Sequence, residues 1–467
     1  MPKGTVPTAE LSPFAALRAF RRDPLGLLER VAELGDVVRI RIPRGDAYLL
    51  NHPDLVHDVL IADHKAFRKG PTIEASKMLL GESLLTSEGE HHLRQRRLIQ
   101  PMFHHERIAT YGEAMVRHAE RVSGAWRVGA EIDVRAEMAS LTLAIVGQTL
   151  FGTDLDDRRS ATVTHALTQT LSMFDRVYSP VFRLLVHLPT PTMRRYRRIE
   201  AELDGVIEAM IRERRASGSD GGSGDDVLSL LLRATEDGRG MTDRQVRDEA
   251  LTLFLAGHET TANALAWTWW LLAQHPGAEA RFHAELHSVL DGGVPTVADL
   301  PRLGYTRAVL SESIRLRPPA WAIGRRAVRE HLAGAVAIPR GSVVVVSPWL
   351  LHHDPRWWSD PGDFRPERWL EPHDRPRFAF APFGGGPRVC IGEPFAWMEG
   401  TLLLATIGSR WRLRAVPGHA VEPQAVVTLR PRHGIQVVPE HHAASSSSGD
   451  RALRMAPAAS KEPPPAP

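Results

Sequence analysis

Cys390 is the only cysteine among the 467 residues, and it lies in a run that could provide a metal ligand. A lone cysteine cannot form an internal disulfide or supply a multi-cysteine zinc or iron–sulfur site. It follows a glycine-rich turn that carries a cation at Arg388, and an apolar helical pattern over 393–405 comes next. Backbone N–H groups at the start of a helix favour a thiolate. A single thiolate suits the axial position of a haem iron, whereas the alternative is a buried, inert thiol.

A second group of reactive side chains lies in a long helical pattern over residues 242–275. Thr242 and Gln245 form a capping box at its start. A carboxyl and two hydroxyls then interrupt an apolar stretch, where burial is costly unless such groups are paired. They belong to the run Ala256-Gly257-His258-Glu259-Thr260-Thr261. The alternative is a surface helix in which Glu259 is solvated.

The residues around the cysteine follow the pattern Phe-x-x-Gly-x-Arg-x-Cys-x-Gly in full, at Phe383, Gly386, Arg388, Cys390 and Gly392. This pattern resembles the haem-binding signature of the cytochrome P-450 superfamily, the haem-thiolate monooxygenases. The resemblance implies that the cofactor is haem b, that Cys390 ligates its iron, and that Phe383, Gly386 and Arg388 help to bind it.

The helical run resembles the oxygen-activating motif of the same family. By this resemblance, Ala256 and Gly257 leave room for dioxygen, Thr260 hydrogen-bonds at the oxygen-binding position, and Glu259 relays protons inward. Cleavage of the O–O bond needs protons. A hydroxyl can pass one on, and a carboxylate that reaches water can replenish it.

Two weaker motifs precede Cys390 in the order in which the family has them. Glu312 and Arg315 are three residues apart and share one helix face, and a Pro-Glu-Arg-Trp segment that contains Arg368 follows. The resemblance implies that these three side chains form a structural network behind the haem. The alternative for Glu312 and Arg315 is a solvated ion pair worth less than about 1 kcal/mol.

Three basic side chains are candidates for binding the haem propionates. His92 and Arg96 lie one helical turn apart, so both could donate to one carboxylate; the family often has tryptophan where this chain has His92. Arg325 is the third candidate, with Arg326 as a rival, because the register is uncertain by one residue. The alternative for the 89–99 run is a solvated basic helix face.

Composition narrows the functional class further. The net charge of +3 argues against a nucleic-acid partner. No run reaches the 20 or so apolar residues of a membrane span or the 7–15 of a signal peptide, which predicts no membrane anchor and a cytoplasmic enzyme. The lack of a disulfide framework fits a reducing compartment.

The pattern along the chain predicts a mainly α protein with small β-sheets. We expect a helix over 23–35, strands at Val37–Ile42 and 46–50, mostly helices from 53 to 320, and strands at 334–338 and 342–346. The resemblance implies the single-domain cytochrome P-450 fold over residues 1–440. The glycine- and serine-rich segment 216–226 is expected to be a flexible surface loop, and the polar tail, 441–467, to be disordered.

The sequence therefore favours a bacterial-type haem-thiolate monooxygenase that inserts one oxygen atom from O₂ into an apolar substrate, by hydroxylation or epoxidation, in secondary metabolism. Its electrons would come from a separate ferredoxin or flavodoxin with its NAD(P)H reductase. The expected substrate is small and lipophilic, because the candidate pocket segments 72–85, 174–188, 251–257 and 318–323 are largely apolar. The alternatives are a peroxide-using or isomerising member of the family and a haem-based sensor without turnover.

Overall fold

Helices make up most of the described part of the chain, which is residues 6–43, 45–152, 190–216, 226–236 and 238–442 of a computed structural model. The α-helices in these ranges are α1 (Pro13–Arg22), α2 (Pro24–Ala32), α3 (Pro53–His57), α4 (Pro71–Leu80), α5 (Gly89–Ile99), α6 (His105–Thr110), α7 (Gly112–Gly124), α8 (Val134–Phe151), α9 (Pro191–Ala216), α10 (Val227–Arg233), α11 (Asp243–Gln274), α12 (Pro276–Leu290), α13 (Gly304–Leu316), α14 (Pro348–His352) and α15 (Glu393–Gly408).

The strands are short and form several small sheets. They are β1 (Val37–Ile42), β2 (Gly45–Leu50), β3 (Phe67–Lys69), β4 (Ile132–Asp133), β5 (Thr235–Glu236), β6 (Arg239–Gly240), β7 (Ile323–Ala327), β8 (His331–Ala333), β9 (Val336–Ile338), β10 (Val343–Val346), β11 (Trp411–Ala415), β12 (Pro423–Ala425), β13 (Leu429–Pro431) and β14 (Gln436–His441). The five-stranded sheet has the order β1-β2-β10-β7-β3, with β10 parallel to β2. Thus the predicted fold class, mainly α with small sheets in a single domain, is confirmed.

Helix α11 forms the centre of the helical core. It begins as the sequence predicts, because Thr242 and Gln245 form a capping box in which each side chain bonds the other residue's backbone N–H. Its side chains are buried along most of its length, among them the fully buried Trp267 and Trp269. It packs against α8, α13 and α15, so it can position groups near the segment that carries the cysteine.

The two strands predicted near residue 340 do not pair with each other. The predicted strands at 334–338 and 342–346 exist as β9 and β10, but they belong to different sheets: β9 pairs with β8, and β10 pairs with β2 and β7. Strand β7 was not predicted. Its Gly-Arg-Arg sequence has a low strand propensity, and its pairing with β3 and β10 decides its conformation.

The chain remains ordered slightly past the predicted domain end at residue 440. His441 pairs with Trp411 in β11 and stacks on its ring at 4.5 Å, and the backbone N–H of His442 donates to Arg410. The segment 216–226 and the tail after 442 lie largely or wholly outside the described residues, so both expectations stay predictions. None of the helices in the described ranges has the length and hydropathy that a bilayer crossing requires.

Candidate haem-thiolate site

Cys390 lies in a turn that glycines make possible, immediately before α15. Its backbone N–H donates to the Phe383 carbonyl at 3.0 Å. Gly386 has a φ of 67°, and a Cβ there would collide with the backbone of Leu60. Glycine is therefore required at this position both by its backbone angle and by its contacts. The Phe383 ring packs edge-on against Trp397 at 5.3 Å, which ties the turn to α15.

The electrostatic environment of Cys390 differs from the simple expectation of a thiolate. Burial raises the pKa of the thiol, while the backbone N–H groups of Gly392 and Glu393 and the charge of Arg96 act in the opposite direction. Burial prevails, so the free thiol stays protonated until a metal cation stabilises its anion. The side chain lies deep in the molecule and is nevertheless exposed, so it faces an internal cavity.

Buried cations meet next to this turn. Arg96 donates to the Val389 carbonyl and Arg388 to the Ser87 carbonyl, both at 2.8 Å. Burial lowers the pKa of His92 to about 3, with the charges of Arg388, Lys69 and Arg96 adding to the effect. The structure therefore brings His92, Arg96 and Arg388 together.

Arg325, rather than Arg326, belongs to this cationic cluster. Burial and the charge of Arg388 lower the pKa of Arg325 to about 10, whereas Arg326 lies 3.5 Å from the Glu74 carboxylate. The alternation of side chains along β7 separates these two neighbours. These surroundings favour Arg325 over Arg326 as the candidate for binding a haem propionate.

Lys69 is a member of the cluster that sequence reasoning missed. It stands opposite Arg325 in the pairing of β3 with β7. Burial and the charges of Arg325 and Arg388 lower its pKa to about 7, and Glu88 partly opposes this. Glu88 also forms an ion pair with Arg388. One carboxylate does not balance these cations, so the cluster fits a ligand with further carboxylates, such as the propionates of haem.

The motif residues of α11 divide between two sides of the helix. Ala256 is exposed and Thr260 is half-buried in a stretch that is otherwise mostly buried, so both face an internal cavity. The Thr260 hydroxyl donates to the Ala256 carbonyl at 2.7 Å. A Cβ at Gly257 would approach Val146 of α8 at 3.1 Å, so glycine allows a close helix contact there.

Glu259 turns toward other partners than Thr260. Its carboxylate accepts a hydrogen bond from the Thr428 hydroxyl at 3.0 Å. Burial raises its pKa, and Thr428, Arg135 and Arg430 act against this. In this arrangement Glu259 makes no contact with Thr260, so an inward relay of protons would need a rotation of its side chain or an intervening water.

Glu312, Arg315 and Arg368 form the buried network that the resemblance implied. The Arg315 guanidinium donates to both oxygens of Glu312 at 2.8 Å, and Arg368 Nε donates to one of them at 2.9 Å. The Trp369 indole donates to the other at 2.9 Å. Although burial alone would raise it, these donors hold the pKa of Glu312 below its usual value. The network fixes the segment that leads to the cysteine turn.

The donors present fit haem. A deeply placed cysteine faces a cavity, unbalanced cations lie beside it, and small residues of α11 open onto an internal space. Elsewhere in the described ranges, no group of three His, Cys, Asp or Glu side chains could hold a metal ion.

Comparison with known proteins agrees with this geometry. The family model for Cytochrome P450 matches residues 23–438. The chain is 42% identical to Cyclooctatin synthase of Streptomyces melanosporofaciens, over 87% of this chain and 89% of the relative. It is 42% identical to Cyclooctat-9-en-7-ol 5-monooxygenase of the same organism, over 86% and 87% of the two chains. It is 34% identical to Pentalenene oxygenase of Streptomyces avermitilis, over 91% and 94%.

The match over nearly the whole described body, together with the site, identifies the chain as a member of the cytochrome P450 family: a haem-thiolate monooxygenase that inserts one atom of O₂ into an apolar organic substrate with electrons from a redox partner.

Proposed function

We propose that the protein oxygenates a terpenoid, by hydroxylation or epoxidation, in bacterial secondary metabolism. The observation that carries this proposal is the 42% identity to an enzyme named for its action on cyclooctat-9-en-7-ol, supported by the likeness to an oxygenase named for pentalenene. The apolar residues of α11 beside Ala256, among them Leu253 and Leu255, suit such a substrate. The pocket segment 174–188 lies outside the described residues.

We infer that the cofactor is haem b, with Cys390 as the axial ligand. When bound, haem supplies an iron that activates O₂. His92, Arg96, Arg325, Arg388 and Lys69 would hold its two carboxylates, with His92 as a neutral N–H donor and the carboxylates neutralising the positive charges of the arginines and the lysine. The Phe383 ring and the tight turn at Gly386 would keep the cysteine in place.

Residues of α11 would leave room for dioxygen and supply protons for its reaction. Ala256 presents little bulk on the cavity side, Gly257 lets α11 pack closely against α8, and Thr260 would donate a hydrogen bond into the cavity after releasing the Ala256 carbonyl. Glu259 would resupply the proton. Arg135 and Arg430 lie near its carboxylate and would favour its charged form, against the burial that raises its pKa.

We further propose a ferredoxin or flavodoxin, with its NAD(P)H reductase, as the electron donor. The support is the basic character of α5, which carries Arg94, Arg96 and Arg97 beside the cysteine turn and would attract an acidic protein. A cytoplasmic location would keep the single thiol reduced and able to ligate iron.

One reconstitution tests the proposed activity. Purified holoenzyme, a bacterial ferredoxin, its reductase and NAD(P)H are incubated under ¹⁸O₂ with a panel of terpenoid hydrocarbons and alcohols, fatty acids and steroids. We expect one ¹⁸O atom in the product of at least one terpenoid. Turnover of fatty acids or steroids alone would contradict the proposed substrate class.

The axial ligand is tested separately by spectroscopy. Reduced holoenzyme with CO should give the strongly red-shifted Soret band of thiolate ligation, and Cys390→His should lose that band. A wild-type spectrum typical of histidine ligation, in correctly folded protein, would contradict the assignment of Cys390.

A further inference from the structure

Two buried polar groups on α11 lack partners among the described residues. Glu249 is fully buried, and its Oε1 atom has no hydrogen bond. Thr252 is 5% exposed, and its Oγ1 atom has none either. A buried polar group without a partner costs about 1–3 kcal/mol. Such a cost in a well-packed helix points to a partner that is a ligand.

The behaviour of Thr252 contrasts with that of other helical threonines. Five other buried threonines donate their hydroxyl to the carbonyl four residues earlier, at 2.7–2.9 Å: Thr142, Thr149, Thr268, Thr401 and Thr406. This back-bond is the usual way in which a helix satisfies a buried hydroxyl. Thr252 has the same option toward Asp248 and does not use it.

Helical spacing places the two groups on the face of α11 that carries Ala256. Residues 249, 252 and 256 are related as i, i+3 and i+7, so they follow one face of the helix. Ala256, the third of them, is exposed although its neighbours from 248 to 255 are buried. The unpartnered groups therefore lie on the stripe that leads to Ala256, with Glu249 about 10 Å and Thr252 about 6 Å from it along the helix axis.

One oxygen of Glu249 anchors the loop that contains Leu84, but this role does not account for the other oxygen. Its Oε2 atom accepts the Leu84 backbone N–H at 3.0 Å. The adjacent Asp248 already anchors the same loop, since it accepts the Glu82 N–H at 3.0 Å and pairs with Arg247. The loop thus has a complete anchor in Asp248, and Glu249 keeps a second oxygen for another partner.

The hydrogen-bonding properties of Glu249 and Thr252 favour a ligand that carries a hydroxyl group. Burial raises the pKa of Glu249 to about 8, so its carboxyl is a neutral acid with an O–H donor at pH 7. The Thr252 hydroxyl both donates and accepts. An alcohol can accept from one of them and donate to the other, whereas a hydrocarbon would leave both unpaired.

We propose that Glu249 and Thr252 bind a hydroxyl group that the terpenoid substrate already carries. The enzyme would then act on a terpenoid alcohol, at a carbon roughly 6–10 Å from that hydroxyl, and an earlier reaction that installs the hydroxyl, either a hydroxylation or capture of water during cyclisation, must supply its substrate. This inference rests on the proposed terpenoid activity and defines its substrate class more narrowly.

Matched ligand pairs test the inference on the holoenzyme. The Kd values of abietadiene, abietadienol, kaurene and kaurenol are measured by equilibrium dialysis for the wild type and for Thr252→Val. This change removes only the hydroxyl. We expect it to weaken binding of at least one alcohol about 2- to 10-fold and to leave binding of the matching hydrocarbon within twofold. Glu249→Gln, which keeps an acceptor for Leu84, should weaken binding of the same alcohol less than Glu249→Leu does.

Two control variants separate a direct contact from a general disturbance. Thr268→Val removes a back-bonded hydroxyl elsewhere on α11, and Asp248→Asn alters only the loop anchor; both should treat alcohol and hydrocarbon alike. Equal effects of Thr252→Val on the two members of every pair would overturn the inference and leave the terpenoid proposal standing. If no terpenoid binds the wild type, the proposed function fails and the inference fails with it.

Discussion

The Thr260 hydroxyl is held by its own helix, because it donates to the Ala256 carbonyl at 2.7 Å. It must leave this bond before it can act on oxygen in the cavity. Thr261, one residue further, projects about 100° away around the helix. Thr261 instead lies beside the buried Glu399 carboxyl, whose pKa burial raises to about 8 against the effect of that contact. Two adjacent hydroxyls thus have separate surroundings.

These surroundings predict different outcomes for two alanine variants. Thr260→Ala should retain haem, substrate and CO binding, while product formed per NAD(P)H consumed falls roughly tenfold or more, because proton delivery is lost. The missing electrons should appear as hydrogen peroxide. Thr261→Ala should remain coupled and lower the melting temperature, because Glu399 loses a neighbour. The opposite order of coupling would place the oxygen-activating register one residue away.

A second prediction concerns Lys69. Its pKa in the folded protein, about 7, lies below its ordinary 10.5, so the unfolded chain binds its proton more strongly. The contribution of Lys69 to the free energy of unfolding of the haem-free protein therefore becomes more favourable as the pH rises from about 7 toward 10.5. Lys69→Met should raise the melting temperature of the haem-free protein at pH 7 and flatten that dependence.

The same variant should weaken haem binding. A lost charge-assisted bond to a carboxylate costs about 1.5–3 kcal/mol, so haem transfer to apomyoglobin should be about tenfold faster. Lys77→Met provides the control, because Lys77 is an outlying lysine whose partner, Glu82, is exposed. If Lys69→Met leaves the rate of haem transfer unchanged, Lys69 does not contact the cofactor.

At the scale of the elements, one buried carboxylate joins helix α13 to the segment before the cysteine turn. Glu312 of α13 accepts hydrogen bonds from Arg315 in its own helix, and from Arg368 and Trp369 in the segment before the cysteine turn. Both carboxylate oxygens of Glu312 accept hydrogen bonds from these donors. Arg315 also donates to the backbone carbonyls of His352, Pro361 and Asp363.

Glu312→Gln should therefore be severely destabilising. Removal of one partner from a buried ion pair costs about 3–5 kcal/mol. We expect loss of most haem from the purified protein and a large fall in the denaturant midpoint. Glu113→Gln, at an exposed pair with Arg117, should change stability by less than about 1 kcal/mol. Similar midpoints for the two variants would contradict a structural role for the network.

Local sequence patterns predicted these elements better than they predicted the details of the site. The capping box of α11 and the run from Phe383 to Gly392 are contiguous, so they could be read directly. The orientation of the Glu259 side chain could not be predicted in this way, because its partner Thr428 is remote in the sequence. Lys69 was missed for the same reason: its place beside Arg325 depends on the pairing of β3 with β7.

At the scale of the whole molecule, His441 and His442 pack on the body beyond residue 440. Truncation after His442 should leave haem content and melting temperature nearly unchanged, because the composition of the remaining tail predicts disorder. Truncation after residue 440 should lower the melting temperature, because it also removes the stacking of His441 on Trp411 and of His442 on His283. Equal melting temperatures for the two truncations would show that these stacked rings contribute nothing.

The parallel pairing of β2 with β10 has a consequence for biosynthesis. Residues 47–50 lie next to residues 343–346 in the sheet, so β2 leaves the ribosome long before its partner strand exists. At a synthesis rate of about 5–20 residues per second, this interval lasts roughly 15–60 s. During that time the β1–β2 hairpin presents an unpaired edge, which is a template for aggregation. Cooler growth, which slows association of such edges, or a chaperone that covers them should raise the yield of folded protein more than any change to the catalytic residues.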